Sequence, residues 1–361
     1  MLKPFMEKTT HKIRELASLL GTLNAATPAV AYSLTYCKRL ERKKFLALIA
    51  SDIDYEGKVT INERVREDLV WWKTNVSKGF SKIRTKKFAL EISSDASLTG
   101  WGAHSENRST HGFWEKSHEK YSINYLELLA ASYALQCFAS NLSDCEILLR
   151  IDNTTAVSYI NRAGGIQLPH LSELARNIWE WCESRQIWVF ASYIPSGENV
   201  EADRASRIKN IDTEWEISNK FFSKIESKFG PFSIDLFASN ANKKCERFCS
   251  RFPQPNTKAV DAFTIPWSDK EGLYAFPPFS LVLKTLRKII IEKAECTIIV
   301  THWPSQAWYP LFVELQVSDS LILPPKIGML LSPCRKKTHP LAARLSLEAA
   351  NISGKLFRKE D

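Results

Sequence analysis

Apolar and polar positions along this chain change their period more than once, and each change marks a different kind of element. In Thr10–Asn24, Ile13, Leu16, Leu20 and Leu23 recur at helical spacing, which predicts an amphipathic helix with Thr10 as its cap. Ala31–Ala50 and Asn62–Val76, the latter holding Trp71 and Trp72, read as two further helices. At Phe88 the period shortens: Phe88–Ile92 alternates as a half-buried strand does and stops at Ser93-Ser94-Asp95. Gly100 and Gly102 follow, so the chain can turn back into strands over Gly100–Ser105 and Thr110–Trp114. A helix is then expected over Asn124–Phe138, with Asn124 as cap, Glu127 in the first turn, and Leu128, Ala131, Leu135 and Phe138 on one stripe. Glu146–Ile151 reads as a strand ending in Asp152-Asn153, and Thr154–Asn161 as a helix closed by Gly164-Gly165. Leu171–Glu183 is a helix, Trp188–Ile194 a strand, and Gly197–Asp203 the opening of a helix that carries Asp203.

Beyond Arg207 short apolar runs alternate with helical stretches. Thr213–Phe229 reads as linker and helix, Phe232–Phe237 and Leu273–Phe276 as strands, Ser280–Lys293 as a helix and Cys296–Thr301 as a strand. A small α/β domain with ligands at strand carboxyl ends is implied. The expected organisation is a helical basic region over 1–87, an α/β domain over 88–210, a linker over 211–228, a second α/β domain over 229–335 and a tail over 336–361.

Composition narrows this only modestly. The 361 residues are 44% hydrophobic and 25% charged, an ordinary globular balance for two or three domains. Eight scattered cysteines suit buried thiols in a reducing compartment better than a disulfide framework. With no signal peptide and no apolar run long enough for a membrane span, the chain is expected to be intracellular and off the membrane, with cytoplasm and nucleus both open. Charge changes the picture more: residues 1–90 hold 18 Lys and Arg against 9 Asp and Glu, which is the whole formal excess of +9. A basic arm joined to neutral domains points to a polyanionic partner, since releasing counterions from phosphates drives such binding.

Candidate chemistry lies in four acids at comparable places. Asp95 and Asp152 end strands, while Glu127 and Asp203 sit near helix starts. Acids from separate elements that converge on one sheet edge repel one another unless a cation intervenes. Hard oxygen ligands select Mg²⁺, with Mn²⁺ as an alternative, and two such ions about 4 Å apart support phosphodiester hydrolysis. Asn153, Asn124 and Ser97 are the polar side chains near these acids able to bond a sugar hydroxyl.

The stretches SDASLTGWGA, NYLELLAA, IDNTTAVSYIN and ENVEADRASR, within residues 88–207, resemble the ribonuclease H domain of retroelement reverse transcriptases, the DIRS group of retrotransposons above all. The resemblance implies a ribonuclease H-like fold, a mixed five-stranded sheet with helices. It also implies that Asp95, Glu127, Asp152 and Asp203 are catalytic metal ligands that cleave the RNA strand of an RNA–DNA hybrid. Residues 1–87 resemble the thumb and connection region that follows a polymerase palm, which makes a palm domain on another chain a candidate partner. The segment Ser192–Gly197 lacks the histidine that many cellular members carry before the last acid.

SIDLFAS (233–239), DAF (261–263), FPPF (276–279) and WPSQAWYP (303–310) resemble the methyltransferase-like domain that follows ribonuclease H in the same elements, itself similar to phage adenine-N6 DNA methyltransferases. Active members place Asn or Asp before the two prolines, as acceptor for the target amine, and an aromatic after them to stack on the flipped base. Here Phe276 precedes Pro277 and Pro278, Phe279 follows them, and Ala238-Ser239-Asn240 stands after Asp235 where a glycine-rich cofactor loop is expected. The resemblance therefore implies the fold and argues against S-adenosylmethionine use, leaving adenine methylation as an alternative activity. A non-cleaving nucleic-acid-binding relic is the other alternative. Cys245 and Cys249 have no second ligand pair at zinc spacing and read as incidental thiols, and Arg335-Lys336-Lys337 reads as a solvated basic tail.

Overall fold

The computed structural model describes residues 2–77, 79–208, 215–268, 271–332 and 339–355. The chain divides into two compact units. One comprises Met1–Asp95, His104–Arg108 and Ser122–Val200, and the other Ala96–Ala103, Ser109–Tyr121 and Glu201–Asp361.

The N-terminal part of the first unit is helical: α1 (Leu2–Glu7), α2 (Ile13–Ala26), α3 (Lys38–Ala50) and α4 (Glu63–Asn75). The predicted stripe is the buried one, with Ile13, Leu16, Leu20 and Leu23 packed against Leu40, Leu69 and Trp72. Two expectations are corrected. Thr10 is not a cap, because Thr10–Lys12 forms strand β1, which pairs antiparallel with β2 (Lys58–Thr60), and Lys12 is the N-cap. The second helix starts only at Lys38, after a 3₁₀ turn over Thr35–Cys37, since Tyr32 holds a left-handed φ of 64° that no continuous helix accommodates.

Next come β3 (Phe88–Ala96), β4 (Gly100–Ser105), β5 (Arg108–Phe113), α5 (Ile123–Phe138), β6 (Glu146–Ile151), α6 (Thr154–Asn161), α7 (Pro169–Glu183), β7 (Trp188–Tyr193) and α8 (Val200–Ser206). The strands form one mixed five-stranded sheet of order β5-β4-β3-β6-β7. Connections of two or three residues leave β3, β4 and β5 no choice but to run antiparallel. The pairs β3–β6 and β6–β7 are parallel because helices carry the chain back between them. Burial alternates along β6, with Ile147, Leu149 and Ile151 inside. This is the expected α/β class and the expected mixed sheet.

Within the first unit the N-terminal helices are locked to α7. The carboxylate of Asp68, fully buried, pairs with Arg176 at 2.8 Å, and Arg176 also reaches Glu180 at 2.7 Å. Glu183 accepts from the Tyr36 hydroxyl and from the Trp71 indole. Burial outweighs the pull of both arginines near Asp68 and raises its pKa to about 6.

In the second unit β8 (Glu216–Ile217), α9 (Asn219–Phe229), β9 (Ile234–Asp235), β10 (Arg247–Ser250), β11 (Ala259–Val260), β12 (Leu273–Ala275), α10 (Val282–Glu292), β13 (Glu295–Thr301), α11 (Tyr309–Glu314), β14 (Leu321–Leu323), β15 (Leu330–Leu331) and β16 (Leu347–Ser353) follow in order. Seven strands make a sheet of order β11-β10-β9-β12-β13-β16-β14, while β8 and β15 pair separately. The strands β9, β10, β12 and β13 pair in parallel, and β16 runs antiparallel to both β13 and β14. Two readings are corrected here. The supposed linker contains α9, whose Phe221, Phe222 and Ile225 are core residues, and the supposed tail contains β16, six of whose seven residues are buried inside the sheet. The basic run Arg335-Lys336-Lys337 lies outside the described residues.

Candidate metal centre and C-terminal cavity

The register of two parallel strands builds the first site. Ser93 pairs with Arg150 and Ser94 with Ile151, so Asp95 and Asp152 are the next residues on neighbouring strands, about 4.8 Å apart in the sheet. Glu127 enters from α5. Each of the three offers a carboxylate oxygen within 4.8 Å of the others, the one such group of potential metal ligands among the described residues. Asp95 is 3% exposed and Glu127 5%. At such separations each pair of ionised carboxylates repels by roughly 3 kcal/mol at an effective dielectric near 20. An all-oxygen donor set of this kind suits a hard divalent cation.

Neighbouring polar residues hold this arrangement rather than facing outward. The Asn153 side chain caps α6 by accepting from Ala156 N at 2.9 Å, and its amide donates to Asn124 Oδ1 at 2.8 Å. That bond ties α6 to α5, the helix that carries Glu127. Asn124 is not the cap of α5, since the helix begins at Ile123 with Ser122 as N-cap, and Glu127 therefore stands two residues further in than expected. Ser196 Oγ donates to Asp152 Oδ2 at 2.9 Å, and Asn199 Nδ2 to Ser94 O at 3.0 Å. Sequence reasoning missed both residues, because nothing in Pro195–Asn199 marks a turn as reaching two strands.

Asp203 and Ser97 belong to the second unit. Asp203 sits on α8, where Oδ1 accepts two bonds of 2.7 Å from Arg207. Ser97 Oγ donates to Ser206 O at 2.7 Å and accepts from Gly100 N at 3.1 Å, so its hydroxyl is consumed in joining the turn before β4 to α8. A Cβ on Gly102 would fall on Ala202 O and Ser206 N. The bare backbone of that glycine is what lets α8 lie on β4.

The second site lies where the strand order of the seven-stranded sheet reverses. From β9 the chain proceeds outward to β10 and β11, then returns to β12 on the other side, and crevices form at such switch points. A cavity of about 420 Å³ opens there, walled by Phe237, Ser239, Phe252, Phe263, Phe276 and Lys284. Asp235 closes the loop beside it. Its oxygens accept from Phe237 N at 3.2 Å and Lys244 N at 3.0 Å, and burial raises its pKa to about 6. Pro277 is buried and Pro278 lines the cavity. Phe279 packs edge-on against Trp303 at 5.6 Å and lies 6.4 Å from His339.

Residues 204–322 match the sequence model of the family described as DNA N-6-adenine-methyltransferase (Dam). The match covers about a third of the chain. No curated protein sequence matches. Among solved structures, the chain is similar to RNase H1 from the halophilic archaeon Halobacterium salinarum NRC-1, at 19% identity over 32% of this chain and 92% of the other, with a TM-score of 0.28. LC11-RNase H1 in complex with an RNA/DNA hybrid gives 19% identity, the same coverage of both chains and a TM-score of 0.27. The prototype foamy virus protease-reverse transcriptase gives 16% identity over 58% of this chain and 29% of that one, with a TM-score of 0.22. Among the described residues no helix is long and apolar enough to cross a membrane.

Proposed function

We propose that the chain is a nucleic-acid-processing protein of a DIRS-type retrotransposon whose central activity is ribonuclease H: hydrolysis of the RNA strand of an RNA–DNA hybrid. The observation that carries this reading is the convergence of Asp95, Glu127 and Asp152 from two strands and a helix to within 4.8 Å. Asp203 is the fourth acid of the proposed set. Bound by these carboxylates, two Mg²⁺ ions would lower the pKa of an attacking water and stabilise the leaving oxygen. The protein's own part is to fix the carboxylates at one sheet edge, through the strand register and the Asn153–Asn124 bond. The basic N-terminal helices supply charge toward the phosphate backbone, and a polymerase palm on a separate chain is the proposed partner. A labelled hybrid should be cut in Mg²⁺ and left intact in chelator, and Asp95→Asn should abolish cutting. Equal cutting by Asp95→Asn would remove the assignment, and no cutting by the wild-type protein would leave a nucleic-acid-binding relic.

The family match over residues 204–322 favours a second reading for the C-terminal part, a domain related to DNA adenine methyltransferases that binds without transferring methyl groups. Phe276 stands where the acceptor for the target amine is required, and a phenyl ring accepts no such bond. Incubation with S-adenosylmethionine carrying a labelled methyl group and with duplex DNA should leave the DNA unlabelled. Incorporation above background would establish the methyltransferase alternative instead.

A further inference from the structure

The turn Pro195–Asn199 touches the backbone or side chain next to two of the three clustered acids. Ile194 N bonds to Ile151 O at 3.1 Å, extending the β6–β7 ladder to the residue before Asp152. One residue after Pro195, Ser196 Oγ donates to Asp152 Oδ2. At the far end Asn199, only 2% exposed, donates through Nδ2 to Ser94 O, the carbonyl just before Asp95. The turn itself is closed by Glu198 N and Asn199 N, both bonding to Pro195 O. With Nδ2 committed, Asn199 Oδ1 is a buried acceptor with no hydrogen-bond partner among the described residues. Leaving such an atom unpaired costs about 1–3 kcal/mol. Stability alone does not select that.

We propose that this turn is a positioning element for the metal centre, in which the Ser196 hydroxyl holds Asp152 Oδ2 so that the other oxygen faces the cation, and Asn199 fixes the strand end that carries Asp95. The inference rests on the ribonuclease H reading of the acid cluster. Both residues act through the ligands and neither is itself a ligand. Hydrogen bonds to metal-binding carboxylates set their orientation, and losing such a partner typically weakens metal binding 10–100-fold. Ser196 is exposed at the tip of the turn, so its replacement leaves the core untouched.

The test is Mn²⁺ binding without substrate, followed by electron paramagnetic resonance of the free ion in the whole chain, with the thermal transition recorded alongside. Ser196→Ala should weaken Mn²⁺ affinity about 10-fold at an unchanged transition, and Ser196→Thr, which keeps the hydroxyl, should restore it to within about twofold. Affinity unchanged in Ser196→Ala, or Ser196→Thr as weak as Ser196→Ala, would overturn the proposal. Asp152→Asn serves as the internal reference. If that variant binds Mn²⁺ like the wild type, the metal-centre reading fails and takes the role of the turn with it, an outcome distinguishable from failure of Ser196 alone.

Discussion

Two parallel-strand edges in one chain present side chains in the same topological place, and they hold different things. Near the ends of β3 and β6 the acids stand in position: Asp95, Asp152 and Glu127 crowd together at a mutual electrostatic cost that a bound cation would relieve. At the ends of β9 and β12 there is a crevice with a 420 Å³ cavity, and the position before Pro277 and Pro278 holds Phe276, a side chain with no hydrogen-bonding group, which lines that cavity and packs against the buried core of the sheet. A sheet can shed its reactive groups and keep its core, because apolar burial and strand pairing do not depend on them. Apolar burial does not by itself favour an acid cluster, since an ionised carboxylate loses its solvation when buried. The crowding of the three acids is therefore the feature of the two that calls most for a chemical explanation.

The largest effect expected from this contrast is on cleavage. Asp95→Asn should lower hybrid hydrolysis on the order of 10⁴-fold, equivalent to about 5.5 kcal/mol, while leaving the thermal transition in place or raising it, because one of three mutually repelling charges is gone. A parallel loss of folding would mean that the acid is structural. At the second site the large effect should be on stability. Trp267 is fully buried and donates its indole N–H to Ala262 O at 3.0 Å, so Trp267→Ala should cost about 3–5 kcal/mol in denaturant unfolding. A loss below about 1 kcal/mol would show that Trp267 is not part of the core of that sheet. A smaller effect is expected at Gly102. Gly102→Ala forces α8 off β4 at about 1–3 kcal/mol, and because α8 carries Asp203, hybrid cleavage should fall further than this instability explains. Cleavage at wild-type level would separate Asp203 from the reaction.

How far the chain could be read from its residues follows the same contrast. Strand β6 was legible because it is buried on one side only in its alternate positions, Ile147, Leu149 and Ile151, and one-sided burial leaves a period of two. Strand β16 was not, since six of the seven residues of LEAANIS are buried, on both faces of the sheet alike, and a strand buried on both faces shows no alternation. The first turn of α5 was misplaced by two residues because Ser122 and Asn124 are both good caps, and the choice depends on Asn124 bonding to Asn153, a contact between elements 29 positions apart. Of the clustered acids, Asp95 and Asp152 were legible as strand ends and Glu127 as an acid near a helix start. The turn that holds them was not, because Ser196 and Asn199 are ordinary loop residues until β7 is paired beside β6.

The smallest effect concerns two buried carboxylates outside the acid cluster, Asp68 in the first unit and Asp235 in the second, both raised to about 6 by burial. A carboxyl whose folded pKa exceeds its unfolded value of 3.8 binds its proton more tightly when folded. Stability then rises as pH falls from about 6 toward 4, and the gain levels off below the unfolded pKa. For one such group the gain between pH 6 and pH 5 is about 1 kcal/mol. Urea unfolding of the wild type and Asp235→Asn at pH 7, 6 and 5 measures it by difference: the variant should lose about 1 kcal/mol of the pH 6 to pH 5 gain, whatever its absolute stability. The comparison uses the slope because the new amide can satisfy only one of the two backbone donors, Phe237 N and Lys244 N, and its level of stability will shift for that reason alone. Equal slopes in the two proteins would mean that Asp235 stays ionised in the folded sheet, held by Lys244, whose amine also reaches Glu216 at 2.7 Å. The loop beside the cavity would then be an ion-paired structure rather than a neutral one.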